Sequence, residues 1–165
     1  MFPRPLVVPL ETKLLLLYNR INLIIKNMVN MNLEFDLNIA HRLFMEGGKC
    51  ENIHGHNLDI TITITLKDGV DLKQQGFIIN FSDIKRAIRE EYDHKFIYFE
   101  KDELAQTFKN LPGATPVSFN PSTENFGSSI ASITKTFDKN NLVSNIRVKV
   151  RETINNFCEV SENYD

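Results

Sequence analysis

The sequence predicts an antiparallel α+β fold. Its elements follow the order strand, strand, helix, helix, strand, strand, and its strand runs carry apolar residues at every second position with polar residues between. The 165 residues are 42% hydrophobic and 24% charged, which is enough apolar chain to bury one core without staples. No internal repeat or low-complexity tract divides the chain. One domain is expected over residues 31–165, with residues 1–30 as an N-terminal extension.

That extension carries Arg4, Lys13, Arg20 and Lys26 against Glu11. Leu14, Leu17, Ile21, Ile24 and Met28 recur at helical spacing, which predicts a short amphipathic helix packed on the domain or on a neighbouring subunit. An overlong gene start is the competing reading, because Met28 and Met31 immediately precede the first strong strand. The longest apolar run there, Leu14 to Tyr18, is far short of the roughly 18–20 residues that span a membrane. It also lacks the features of a secretory signal.

The first strand places Leu33, Phe35, Leu37 and Ile39 on one face, and His41 continues that face. Gly47-Gly48 marks a loop. The second strand places Leu58, Ile60, Ile62, Ile64 and Leu66 together, and the same series runs back to His56 and His54. Phe77 to Phe81 reads as a short strand end. Ser82 or Asp83 then caps a helix that buries Ile84, Ala87, Ile88 and Tyr92 and runs into Asp93-His94. A loop-rich stretch follows. Asn120-Pro121 reads as the N-cap and first residue of a second helix, with the apolar stripe Phe126, Ile130, Ile133 and Phe137. A last strand pair opens with Ile146, Val148 and Val150, and Glu152 comes next on that face.

Composition excludes several classes. Nineteen Lys+Arg against twenty-one Asp+Glu leave a net charge of −2, which argues against a nucleic-acid partner held by a global positive field. No membrane partner is expected. Two cysteines, Cys50 and Cys158, cannot make a disulfide framework, so a reducing, cytoplasmic setting is the expected one.

The histidines carry the chemistry. Residues two apart on a strand point the same way, so His54-Gly55-His56 offers two parallel ligands, and His41 on the neighbouring strand supplies a third. A lone histidine on an apolar face is usually a core residue. Three imidazoles gathered on one face without partners would be costly to bury. A catalytic zinc takes three protein ligands and keeps one open position. An all-histidine set favours zinc without excluding other divalent metals. Cys50 lies on a polar loop beside Lys49 and the expected cation, both of which favour a thiolate, so it is a candidate base or nucleophile. Cys158 reads as a small hydrophobe. Asp93-His94 reads by default as a solvated loop pair. Glu152 continuing an apolar face suits a donor-rich ligand, such as the guanidine-like edge of a heterocycle, or a structural ion pair.

These residues together resemble a known family. Ala40-His41-Arg42-Leu43, Cys50-x3-His54-Gly55-His56-Asn57, Gly76 to Lys85, Asp93-His94, Asn120-Pro121-Ser122-Thr123-Glu124-Asn125 and Val150-Arg151-Glu152-Thr153 occur in the order of the 6-pyruvoyl- and 6-carboxytetrahydropterin synthases. The resemblance spans about residues 32 to 160. It implies a tunnelling fold (T-fold), an antiparallel four-stranded sheet with two helices on one face. Three such subunits form a barrel and two trimers stack into a homohexamer, with active sites at subunit interfaces.

By resemblance, His41, His54 and His56 ligate Zn2+, and Cys50 is the catalytic thiolate. Asp93 and His94 complete the proton-transfer set from a neighbouring subunit, while Glu152, with Thr123 and Glu124, binds the pterin. The implied substrate is 7,8-dihydroneopterin triphosphate. Three residues between Cys50 and the His-Gly-His resemble the branch that makes 6-carboxy-5,6,7,8-tetrahydropterin, with loss of triphosphate and acetaldehyde, for 7-deazaguanine synthesis. The pyruvoyl branch usually has a longer gap. Glu51 sits at Glu-x2-His-Gly-His, as in a third branch that cleaves to 6-hydroxymethyl-dihydropterin, so two activities are an open reading. A zinc hydrolase with a Cys metal ligand and a pterin-binding scaffold are the competing functions. Arg42 and Lys49 are candidate triphosphate contacts. Tyr98 stands where relatives carry Asn, and Asn80 where Asp is common.

Overall fold

Strand β1, Asn30–His41, pairs antiparallel with β2, His54–Leu66, in the register Leu33↔Ile62, Leu37↔Leu58 and His41↔His54. The period-two pattern explains the pairing: Leu33, Leu37, Ile39, Leu58, Ile60, Ile62 and Ile64 are all buried on one face. The other face is polar, and there Thr63 and Thr65 donate to the side-chain oxygens of Asn32 and Asn30 across the ladder. The computed structural model describes residues 9–14 and 29–164. Residues 10–14 are helical, and the remainder of the amphipathic stretch expected up to Met28 lies outside the described residues.

Two further antiparallel strands extend the sheet beyond β2: β5, Val143–Arg151, and β6, Phe157–Asn163. These four are the antiparallel set of the T-fold. On the far side of β1 lie two short strands, β3, Lys95–Phe99, and β4, Ala114–Val117, both parallel to their neighbours, so the sheet has the order β4-β3-β1-β2-β5-β6. The sequence reads this stretch as loops because β3 does not alternate. Phe96, Ile97 and Tyr98 are all buried, Ile97 in the main core and the other two in a small cluster with Phe108. Tyr98 thus has a packing role: its ring stacks 5.9 Å from Phe96 and meets Phe108 at 5.5 Å.

Two long helices cover the apolar face. A short helix α1, Leu72–Gln75, precedes the first of them, α2, Phe81–Tyr92; a single turn, α3, Ala105–Phe108, precedes the second, α4, Thr123–Lys135. Ile84, Ile88 and Tyr92 of α2 and Phe126, Ile130 and Ala131 of α4 join the strand residues in one core. Each fully buried aliphatic there contributes about 1.5–3 kcal/mol. Gly127 brings β6 close, because a Cβ at that position would stand 2.8 Å from Val160 Cγ2.

The expected strand end at Phe77 to Phe81 is absent. Residues 77–80 are irregular, following Gly76 at φ 63, and Asn80 caps α2 by accepting from the Ser82 N–H. Asn serves that cap as well as Asp does. The first long helix therefore starts earlier than expected, and the second starts two residues later, with Ser122 accepting from the Asn125 N–H. Among the described residues, no helix is long and apolar enough to cross a membrane.

Candidate metal centre

The register of β1 and β2 creates the site. His41 faces His54 directly, and His56 follows two residues on, opposite Ile39. The three rings converge, with centroids 4.6 Å apart for His41 and His54, 5.3 Å for His41 and His56, and 4.9 Å for His54 and His56. Glu152, just past the end of β5, brings its carboxylate to the same place. One ligand atom from each of His41, His54, His56 and Glu152 lies within 4.8 Å of all the others.

Two rings are aimed by main-chain oxygens. His41 Nδ1–H donates to the Pro121 carbonyl at 2.7 Å, and His54 Nδ1–H donates to the Asn52 carbonyl at 2.7 Å. A donor at Nδ1 leaves the Nε2 lone pair free on each neutral ring, which is the usual arrangement around a ligated metal. Burial is the main force on His41: it lowers the pKa to about 4 against the opposing pull of the Pro121 carbonyl, with His54 and His56 adding to the fall. The ring is therefore neutral at physiological pH.

The fit to a cation follows from what faces these lone pairs. Glu152 Oε1 stands 3.6 Å from His41 Nε2 and 3.1 Å from His56 Nε2. Both nitrogens are buried without a hydrogen-bond partner. A carboxylate opposed to the Nε2 lone pair of the neutral His41 ring is repulsive unless a positive charge lies between them. Donor atoms on a tetrahedron of roughly 2.0–2.1 Å bonds sit at about this spacing. The residues present can hold a metal ion.

Cys50 lies on a single 3-10 turn, Lys49–Glu51, half-buried, and Glu51 shares that turn. The turn is joined back to β1 by the Leu43 N–H, which donates to the Cys50 carbonyl at 2.8 Å. Cys50 is outside the four-residue ligand group. Arg42 turns inward instead of toward a ligand. Its Nε is 3.0 Å from Oδ2 of the buried Asp102, and its guanidinium lies 5.7 Å from the Phe108 ring centroid. Arg42 is therefore held in an ion pair within the fold, while Lys49 is exposed.

Asp93 and His94 are a bonded pair. Asp93 Oδ2 is 3.1 Å from His94 Nδ1, and Oδ1 accepts from the Asn38 N–H at 2.9 Å. Burial opposes the charge on Asp93, but the Asn38 N–H, His94 and Arg89 outweigh it and hold the carboxyl below its usual range. His94 has φ 58 and an exposed ring, which with Asn38, Ala40, Gly55 and Lys95 lines an open groove of about 530 Å³. Ile39 and His56 line the same groove, so His94 and the ligand His56 border one open space.

Thr123 and Glu124 form the first turn of α4, where Thr123 Oγ1 donates to Glu124 Oε2 at 3.3 Å. The Ser122 hydroxyl and the Glu124 N–H hold the Glu124 carboxyl below its usual range, against burial. Burial pushes the Cys158 thiol up, with the charge of Glu124 adding to it, in keeping with an inert side chain.

The family model for 6-pyruvoyl tetrahydropterin synthase matches residues 30–163. The chain belongs to that family. It is 31% identical over 147 residues to the 6-carboxy-5,6,7,8-tetrahydropterin synthase of Haemophilus influenzae, covering 82% of this chain and 100% of that protein. It is 33% identical to the enzyme of the same name from Rickettsia felis, covering 78% of this chain and 95% of that one. The solved 6-pyruvoyl tetrahydropterin synthase of Plasmodium falciparum superposes with a TM-score of 0.63 at 18% identity, over 83% of this chain and 99% of that chain, which fixes the shared fold. The chain is thus a lyase of the tetrahydropterin synthase type.

In this tetrahydropterin synthase, three parts of the site escape sequence reading. The Pro121 and Asn52 carbonyls that aim the rings are main-chain groups, which residue identity does not reveal. Asn120 bonds across to Phe44, where its position before Pro121 suggests only a cap. The Arg42–Asp102 pair joins distant loops, and no spacing rule links them.

Proposed function

We propose that the chain is a zinc-dependent 6-carboxy-5,6,7,8-tetrahydropterin synthase. It converts 7,8-dihydroneopterin triphosphate to 6-carboxytetrahydropterin, releases triphosphate and acetaldehyde, and so feeds 7-deazaguanine synthesis. One observation carries this reading: the buried, partnerless Nε2 atoms of His41 and His56 beside the Glu152 carboxylate, in a chain whose relatives bear that enzyme's name.

His41, His54 and His56 would hold zinc, which when bound supplies Lewis acidity toward the substrate's side-chain oxygens and acidifies the neighbouring C–H and O–H bonds. Glu152 also borders a cavity of about 200 Å³ lined by Asn57, Asp59, Arg151 and Thr153, so it can turn from the histidines to the paired N–H donors of a pterin. Thr123 and Glu124 would line the same pocket. Cys50 would be the proton acceptor, on the turn that precedes His54 in the chain. Asp93 keeps His94 oriented, and the exposed pair would complete the proton-transfer set of a neighbouring protomer. The assembly would be a homohexamer of stacked trimers. In support, β4 and β6 are the edge strands of the sheet among the described residues, and an edge strand can pair with another chain. Free Cys50 and Cys158 fit a cytoplasmic enzyme.

The test is mass-spectrometric product analysis of purified protein with zinc and 7,8-dihydroneopterin triphosphate. 6-Carboxytetrahydropterin with acetaldehyde supports the reading, and no loss of triphosphate over many hours sinks it in favour of a pterin-binding protein. Glu51, on the turn that carries Cys50, supports a second activity. Under that reading, Glu51→Gln loses only a 6-hydroxymethyl-dihydropterin product.

A further inference from the structure

The asparagine expected to cap the second long helix holds a loop instead. The Phe44 N–H donates to Asn120 Oδ1 at 2.9 Å, and Asn120 Nδ2 donates to the Phe44 carbonyl at 2.9 Å. The side-chain amide thus copies the two-bond exchange of a hydrogen-bonded antiparallel pair, with no strand present. Both bonds agree on which end of the amide is oxygen, since one partner is an obligate donor and the other an acceptor.

Phe44 stands at the foot of the loop that carries Cys50. Its neighbour Leu43 donates to the Cys50 carbonyl at 2.8 Å, so the two ends of the loop are joined above the clamp. The loop has little packing of its own. Met45 is 78% exposed, and both Met45 and Gly47 are left-handed, at φ 59 and φ 77. A loop so built is held by its end contacts.

Asn120 is itself fixed to the metal centre. Its carbonyl accepts from Asn125 Nδ2 at 2.8 Å, in the first turns of α4, and the next carbonyl, of Pro121, aims His41. One dipeptide therefore orients a metal ligand through its backbone and the Cys50 loop through its side chain. We propose that Asn120 is a positioning residue, which sets Cys50 against the His41–His54–His56 centre. The proposal rests on the reading of Cys50 as the proton-transferring thiolate.

Steady-state kinetics and thiol alkylation of the full chain test it. Asn120→Ala removes both bonds. A displaced reactive group costs about 10²-fold, so kcat should fall on that order while KM for 7,8-dihydroneopterin triphosphate holds within about twofold. Iodoacetamide should label Cys50 about tenfold faster, the worth of one to two hydrogen bonds, with Cys158 unchanged. Asn120→Asp keeps the acceptor for the Phe44 N–H but sets a carboxylate oxygen against the Phe44 carbonyl, so the Cys50 rate should again rise above wild type with Cys158 unchanged. It also serves where Asn120→Ala does not fold. An unchanged Cys50 rate overturns the proposal, and so does an equal rise at Cys50 and Cys158, which reports general loosening. Absence of lyase activity in the wild type would instead refute the functional reading. The Cys50-to-Cys158 labelling ratio would still decide whether the clamp holds the loop.

Discussion

The Glu152 carboxylate stands 3.6 Å from Nε2 of the neutral His41 ring, with no hydrogen bond between them. Such a contact stores repulsion that a cation relieves, so metal binding should stabilise the fold. At a thousandfold excess of free zinc over its Kd, the gain is about 4 kcal/mol. Thermal melts of chelator-treated protein with and without zinc measure it. A melting temperature indifferent to zinc would remove the metal centre.

Cys50 lies outside the ligand group and His41 lies within it. Elemental analysis should therefore find one zinc per chain in Cys50→Ala, with turnover lost by at least about 10²-fold. His41→Ala should lose most of its zinc. Loss of zinc from Cys50→Ala would make the cysteine a ligand and favour a hydrolase-type site.

Asp138 gives a pH dependence far from the site. Its side chain, 2% exposed, meets Lys135 Nζ at 2.7 Å and accepts from the Leu142 and Val143 N–H groups at 2.8 Å and 3.0 Å. Burial disfavours its charge, but these donors prevail and hold its carboxyl below the ordinary 3.8. A carboxylate with a depressed folded pKa stabilises the fold above its unfolded pKa. That stability is lost as pH falls through the folded value. Asp138→Asn should cost about 1–3 kcal/mol at pH 7 and progressively less below pH ~3.8. Urea unfolding at pH 7 and pH 3 checks this; an equal cost at both values would exclude the charge as the cause.

Gly127 and Val160 are in tight contact, 2.8 Å from an added Cβ to Val160 Cγ2. Gly127→Ala should destabilise the protein by about 1–3 kcal/mol through overpacking, even though alanine is the better helix former. Adding Val160→Ala should recover part of that loss. A double-mutant cycle without coupling would place the strain elsewhere.

The central strands and the histidine cluster are legible in the sequence because both follow from a period of two. Leu33 to His41 and His54 to Leu66 alternate so regularly that the shared face of the three rings can be read from residue numbers. The parallel strands are not legible, because β3 is buried on both faces and β4 has only four residues. Helix starts shift by two or three residues from their expected places, since Asn80, Ser82, Asp83, Asn120 and Ser122 are all competent caps and only the chain path chooses among them. Glu152 stands out in the sequence as a carboxylate on an apolar face, but its approach to the histidines depends on the turn after β5.

The oxygens that orient His41 and His54 belong to the main chain of Pro121 and Asn52. No side-chain replacement at those two positions can delete them. The aim of the ligands is thus insulated from mutation at its own supports, and is inherited through the path of the backbone.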